Sequence, residues 1–435
     1  MGRRILTHAE VRLWGRSIGA VAWNDADRVA SFEYDPHFRS SGIEVAPLTM
    51  PLDMKIYQFP GLPEETFRGL PGMLADSLPD RYGNALIDVW LARQGRSHES
   101  FNPVERLCYV GTRGMGALEY HPSRGPGSST GDVDVAGLVD LADAVLSKRT
   151  ALNADLEHDE DAINQILQVG TSAGGARAKA IIAWNPETKV ARSGQADLEP
   201  GFSHWVLKLD GVRSSDEREV GTALGYGLIE YAYHKMAVRA GIRMTECRIE
   251  EEGGRHHFMT RRFDRTDGGK KLHMQSLAAL AHYDYNAAGA HSYEQAIEVM
   301  RKLGLPQADI EQQYRRTVFN LIARNQDDHV KNIAFLMDKT GRWSLSPAFD
   351  VIYSYNPSGT WTAQHQMSVN GKRDGFVADD LLALARFCNI KAAGAREVVN
   401  DVMRTVREWP AIAEETGLPP ARSREVERYH RKTLG

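Results

Sequence analysis

Between residues 323 and 350 the sequence sets several oxygen-bearing side chains around a stretch that reads as helix, loop and hairpin. The run Ala323-Arg324-Asn325-Gln326-Asp327-Asp328-His329-Val330-Lys331-Asn332 follows an apolar helical pattern and precedes the apolar run Ile333-Ala334-Phe335-Leu336-Met337. Such elements are ordinarily joined by a few plain turn residues. Asp338 to Arg342 reads as a turn and Trp343 to Leu345 as a returning strand, so Asn332 before the first strand and Asp350 after the second come back to one end of a hairpin. Asp350 stands between Phe349 and Val351-Ile352, where a carboxylate needs an ion partner, a hydrogen bond or a cation. A hard cation such as Mg²⁺ takes one or two protein oxygens and completes its shell with phosphate and water. Asp327 precedes Asn332 by five residues, the interval between catalytic aspartate and metal-binding asparagine in protein kinases. The chemistry this suits is phosphoryl transfer from ATP. Asp327, Asp328 and Asn332 would equally cap a helix and turn a loop.

A phosphotransfer site also needs donors over the phosphates and a lysine for their charge. Val169-Gly170-Thr171-Ser172-Ala173-Gly174-Gly175-Ala176-Arg177-Ala178-Lys179 supplies glycines whose N–H groups can approach anionic oxygens. It is no Walker A loop, because Ala176-Arg177 stands where Lys and Ser or Thr are required, and it would also pass for a plain flexible loop. In His204-Trp205-Val206-Leu207-Lys208-Leu209-Asp210, Trp205, Leu207 and Leu209 share one strand face and Lys208 takes the other. A working lysine there needs an orienting carboxylate, and Glu230 on the following helix is the candidate.

The run Asn325 to Asn332, Asp350 in Ser346-Pro347-Ala348-Phe349-Asp350, the loop Ser172 to Lys179 and Arg262-Phe263-Asp264-Arg265 together resemble the HipA family of toxin kinases. Leu78-Pro79-Asp80-Arg81-Tyr82-Gly83 and Gly116-Ala117-Leu118 resemble that family's leading domain, so the likeness runs along most of the chain in order. The resemblance implies a serine/threonine protein kinase of atypical kinase fold, the toxin of a toxin–antitoxin module encoded beside a small DNA-binding, HipB-like antitoxin. It implies Asp327 as catalytic base, Asn332 and Asp350 as Mg²⁺ ligands, and Lys208, oriented by Glu230, on the ATP phosphates. Ser172 would be the loop serine that autophosphorylates, and Met259-Thr260-Arg261 the hinge at the adenine. Gly170, Thr171, Ser172, Gly174, Gly175, Lys179, Met259, Arg261, His329 and Lys331 complete the expected nucleotide-binding set. A target in translation, such as an aminoacyl-tRNA synthetase, is implied, with DNA reached mainly through the antitoxin. The sequence departs from the family pattern where Leu209 follows Lys208 in place of proline, where Arg177 stands for glutamine, and where Leu272-His273-Met274-Gln275-Ser276-Leu277 replaces a more acidic stretch.

The elements that must position these residues make an α+β protein: a β-rich N-terminal subdomain and then a kinase-like core with a large helical C-terminal lobe. Residues 1–121 form the first unit, opened by short strands between Glu10 and Pro36 and carrying an amphipathic helix through Ala85 to Leu91. The Pro-, Gly- and Ser-rich stretch 122–134 reads as a mobile linker. Residues 135–260 are the nucleotide-binding lobe, with a helix from Val133 to Lys148 behind a capping Asp132, and residues 261–435 the helical lobe. The 435 residues allow two or three domains. With 53 Lys and Arg against 57 Asp and Glu the net charge is −4, which gives no global attraction to phosphate backbones or anionic lipid. Arg261, Arg262, Arg265, Lys270 and Lys271, and the C-terminal Arg422, Arg424, Arg428, Arg431 and Lys432, are interspersed with acids and read as solvated faces. Cys108, Cys247 and Cys388 show no CxxC pairing and read as reduced thiols, and no apolar run reaches the length of a membrane span, so a cytoplasmic location is expected. Two other readings remain open: a metal hydrolase using Asp327, Asp328 and His329, and a catalytically weak or dead co-repressor that bridges a DNA-bound antitoxin.

Overall fold

Alternating buried and exposed residues from His8 to Tyr34 build the first sheet. The computed structural model describes residues 6–127, 132–147, 160–170, 177–195, 198–212 and 225–434. Strands β1 (His8–Leu13), β2 (Arg16–Asn24), β3 (Val29–Tyr34) and β4 (Leu118–His121) lie in the antiparallel order β3-β2-β1-β4. Val11, Leu13, Val21, Phe32 and Tyr34 point to one face and pack with Leu74, Leu107 and Cys108 in the main core. The β-rich opening expected from the sequence is therefore present, and the helix expected around Ala85–Leu91 spans Arg81–Ala92, started by Asp80, whose Oδ1 accepts the Gly83 N–H at 2.8 Å.

The second sheet is five-stranded and antiparallel. Strands β5 (Lys179–Asn185), β6 (Val190–Ser193), β7 (Ser203–Lys208), β8 (Cys247–Glu252) and β9 (Arg255–Arg261) take the order β6-β5-β7-β9-β8. Ile182, Leu207 and Met259 on one face of it pack with Tyr82, Leu86 and Val89 of the N-terminal helix and with Leu138, Ile163 and Leu167 of the helices Val135–Ser147 and Glu160–Val169. The helix Tyr226–Arg239 joins β7 to β8. A third, three-stranded sheet is formed by β10 (His273–Ser276), β12 (Ala334–Met337) and β13 (Trp343–Leu345), while β11 (His291–Ser292) pairs with β14 (Met367–Ser368). Helices Tyr293–Lys302, Gln307–Ala323, Ala378–Phe387, Ala392–Arg407, Trp409–Glu415 and Pro420–Glu427 complete the C-terminal half.

Three expectations from the sequence need correction. Arg262 and Arg265 are not a solvated face: their side chains are 1% and 7% exposed and close on Asp264, which is 0% exposed. Arg262 donates to Asp264 at 2.9 and 2.7 Å and Arg265 at 2.8 Å, while Asp264 also accepts the Gly116 N–H at 2.6 Å. Both guanidiniums reach the Gly114 carbonyl and Arg265 reaches that of Gly116, so the motif clasps the N-terminal unit to the core. Burial alone would push the Asp264 carboxyl up, but the two arginines outweigh it and hold it far below the carboxylate range. Lys271 extends the clasp, donating to Glu119 at 2.7 Å. The stretch 122–134 expected to be a mobile linker is tied to the first unit at two residues, since the Arg124 N–H donates to the Cys108 carbonyl at 2.8 Å and Gly125 lies against Arg113 and Tyr109. Asp132 does not cap the next helix; it pairs with Arg192 at 3.0 Å, and Asp134 accepts the Ala136 N–H instead.

Candidate active site

The helix Gln307–Ala323 ends at Arg324, whose left-handed backbone (φ 59°) turns the chain into the loop 325–332. Hairpin β12–β13 then returns it to Asp350, so Asn332 and Asp350 do meet at one end of the hairpin and line a common cleft of about 660 Å³. Asp327, Lys208, Glu230, Lys179, His329 and Lys331 line the same cleft. Its other wall belongs to the N-terminal unit, through Asp76, Asp80, Arg81 and Asn84.

Lys208 leaves the sheet on the face opposite Trp205 and Leu207, as its register requires. Its Nζ lies 2.6 Å from Glu230 Oε1 on the neighbouring helix and also contacts Asp350 Oδ1. Burial penalises the Lys208 ammonium, but Asp350 and Glu230 outweigh it and hold the lysine charged. Burial likewise pushes the Asp350 carboxyl up, and Lys208, with help from Lys179 and His329, overcomes it and leaves Asp350 ionised well into acid. Glu230 is pushed up by burial, countered in part by Lys208. Asp350 holds a positive φ of 52°, a conformation that costs an L residue about 1–3 kcal/mol and recurs at functional sites.

Asp327 lines the same cleft and has no hydrogen bond or ion pair with this group among those of the described residues. Asn332 donates through Nδ2 to the Asp327 carbonyl at 2.9 Å, and Trp361 donates through Nε1 to Asp327 Oδ1 at 2.7 Å. His329 Nε2 lies 3.9 Å from the same oxygen. Lys331 Nζ sits 4.9 Å above the Tyr285 ring, a cleft-lining aromatic. Asp328 points the other way: its buried carboxylate accepts from Tyr293 Oη at 2.7 Å, His365 Nδ1 at 2.9 Å and the Gln366 N–H at 2.8 Å. That geometry removes Asp328 from any metal set shared with Asp327 and His329, and with it the hydrolase reading.

Lys179 is buried on β5, 2.7 Å from Asp80 Oδ2, so the residue that starts the N-terminal helix also pairs across to the second sheet. Gly170, a phosphate-loop candidate by sequence, lies outside the cleft lining: it closes the helix Glu160–Val169, and an added Cβ would overlap Leu86 Cδ1 and sit 2.7 Å from the Ile166 carbonyl oxygen. Gly170→Ala should therefore cost about 1–3 kcal/mol of stability through overpacking, read as a lower urea midpoint at unchanged slope. Thr171, Ser172, Gly174 and Gly175 lie outside the described residues. Of the hinge residues, neither Met259 nor Arg261 lines the cleft: Met259 is 1% exposed in the core and Arg261 donates to Asp267 at 2.6 Å.

The loop is braced from a distance as well. Arg431 donates its N–H to the Ile322 carbonyl at 2.9 Å and its guanidinium to the Leu321 carbonyl and Asp374, with Nη1 3.1 Å from His365 Nε2. Arg324 donates to the Tyr429 carbonyl at 2.9 Å, and Tyr233 Oη lies 2.9 Å from His430 Nε2. Sequence reading missed Ser354 and Trp361 as parts of the site, offered Asp328 only as a loop cap or a hydrolase ligand, and took Arg431 for a solvated charge although its side chain is 9% exposed. The only local sign was the unusual density of polar residues at 324–332; the partners come from remote stretches.

Comparison with known proteins places the chain in one family. The model of the HipA-like C-terminal domain matches residues 171–409 and that of the HipA N-terminal domain matches residues 9–121. A curated Sinorhizobium fredii protein named "Putative kinase Y4dM" is 31% identical over 169 residues, covering 37% of this chain and 39% of that protein's length. The HipA chain of a Shewanella oneidensis complex of HipA, HipB and operator DNA superposes with a TM-score of 0.68 at 16% identity, covering 97% of this chain and 95% of that one. The chain, which carries both the N-terminal and the C-terminal domain in that order, belongs to the HipA family.

Proposed function

We propose that the chain is a Mg²⁺- and ATP-dependent serine/threonine protein kinase, the toxin of a toxin–antitoxin module. The observation that carries the reading is Lys208, held between Glu230 and Asp350 on a cleft that Asp327 and Asn332 also line. Phosphoryl transfer asks little covalent chemistry of a protein; it asks for aligned reactants and opposed charge. Lys208, charged because two carboxylates face it, is suited to move onto the α- and β-phosphates. The carboxylate of Asp350 and the amide oxygen of Asn332 are hard donors fit for Mg²⁺, which when bound offsets charge on the transferred phosphoryl group. Asp327, on the same cleft, would accept the hydrogen bond of a serine or threonine hydroxyl and orient its attack. The Shewanella HipA was solved with HipB and DNA, which supports a small DNA-binding antitoxin as partner here. An aminoacyl-tRNA synthetase is the substrate to try first, and Ser172 the internal acceptor.

The test is intact mass of the purified chain before and after Mg²⁺–ATP, for wild type, wild type with EDTA, and Lys208→Met. Wild type should gain phosphate, or already carry it, and both controls should gain none. A wild type that neither carries nor gains phosphate, and binds no nucleotide by calorimetry, would turn the reading to the bridging co-repressor.

A further inference from the structure

The segment between Asp350 and β14 touches Asp327 twice. Ser354 Oγ accepts the N–H groups of Gln326 and Asp327 at 2.9 and 3.1 Å and donates to Asn325 Oδ1 at 3.1 Å, fixing the backbone of the loop. Trp361 fixes the side chain through the 2.7 Å bond from Nε1 to Asp327 Oδ1. The tryptophan is itself held: its carbonyl accepts from Gln366 Nε2, and Gln366 donates its own N–H to Asp328 Oδ1. The two neighbouring aspartates are thus gripped by one short stretch of chain, Asp328 by its far end and Asp327 by the ring at its middle.

We infer that Trp361 is the positioning residue for Asp327: its indole claims Oδ1 and leaves Oδ2 to the acceptor hydroxyl. This rests on the kinase reading above. An indole N–H can only donate, so it orients a carboxylate without competing for the proton that the acceptor releases. A rotating hydroxyl or an amide in its place could turn and accept from the substrate instead. Trp361 lines the cleft, so the same ring also forms part of the wall beside which an acceptor must pass.

Trp361→Phe keeps an aromatic ring and deletes the donor. Its kcat should fall about tenfold to a hundredfold, the cost of a misplaced reactive group, with nucleotide affinity and melting temperature near wild type. Added to Asp327→Ala it should cause no further loss, because residues acting through one another are not additive. Trp361→His, which can restore an N–H, should recover part of kcat. A ¹⁵N spectrum gives a readout free of activity: the indole resonance that disappears in Trp361→Phe should shift in Asp327→Asn. An unmoved resonance, an unchanged kcat in Trp361→Phe, or additive losses in the double variant would each overturn the inference. Absence of transfer by the wild type would instead overturn the kinase reading on which it rests.

Discussion

Asp327→Ala should slow phosphoryl transfer about 10²- to 10⁴-fold, the range for losing a positioned general base, while leaving nucleotide affinity unchanged. The separation follows from the contacts. Asp327 is held at its side chain by Trp361 and at its N–H by the Ser354 hydroxyl, whereas the groups suited to hold phosphate and metal are Lys208, oriented by Glu230, and Asp350 with Asn332. Radiolabel transfer paired with calorimetry separates the two effects. A variant that transfers at the wild-type rate, or that loses nucleotide binding along with transfer, would show that Asp327 does not orient the acceptor. Asp350→Ala should show the converse, weakened Mg²⁺–nucleotide binding, because Asp350 joins Lys208 directly.

Asp264→Ala should destabilise the fold by about 3–5 kcal/mol, the cost of breaking a buried ion group and leaving guanidiniums unpaired. Here two arginines lose one carboxylate, and Gly116 loses the acceptor of its N–H. The pH dependence has a definite sign. The folded carboxyl lies far below its unfolded value of about 3.9, so its stabilising contribution is complete above that value and is lost as pH falls through the folded one. The gap between wild type and variant in urea unfolding should therefore be constant from neutral to mildly acidic pH and shrink only in strong acid. A gap that closed near neutrality would assign the clasp to some other group.

Elements with strong local periodicity were legible in the sequence. The first sheet, the hairpin β12–β13 and the return of Asn332 and Asp350 to one end of it follow from alternation and turn residues alone, and Lys208 faces Glu230 because strand register leaves it no other side. What was not legible depends on partners distant in sequence. Arg262 and Arg265 look like surface charge beside Asp264 and Asp267; only the approach of Gly114 and Gly116, brought in by the N-terminal unit, buries them. Asp328 looks interchangeable with Asp327 until Tyr293 and His365 claim it. Gly170 looks like part of a phosphate loop, yet its lack of a side chain answers to Leu86 on another helix.

The segment Tyr429–Arg431, hydrogen-bonded beneath the loop through Ile322, Arg324 and His365, bears on the order in which the site is completed as the chain folds. Chains begin folding from the N-terminus while still being translated. A growing polypeptide already holds every proposed catalytic residue when Asp350 emerges, but the strut against which His365 and the end of helix Gln307–Ala323 rest lies further along the chain. The proposed site is therefore fully braced only once residues 429–431 have been made and have docked against the end of that helix.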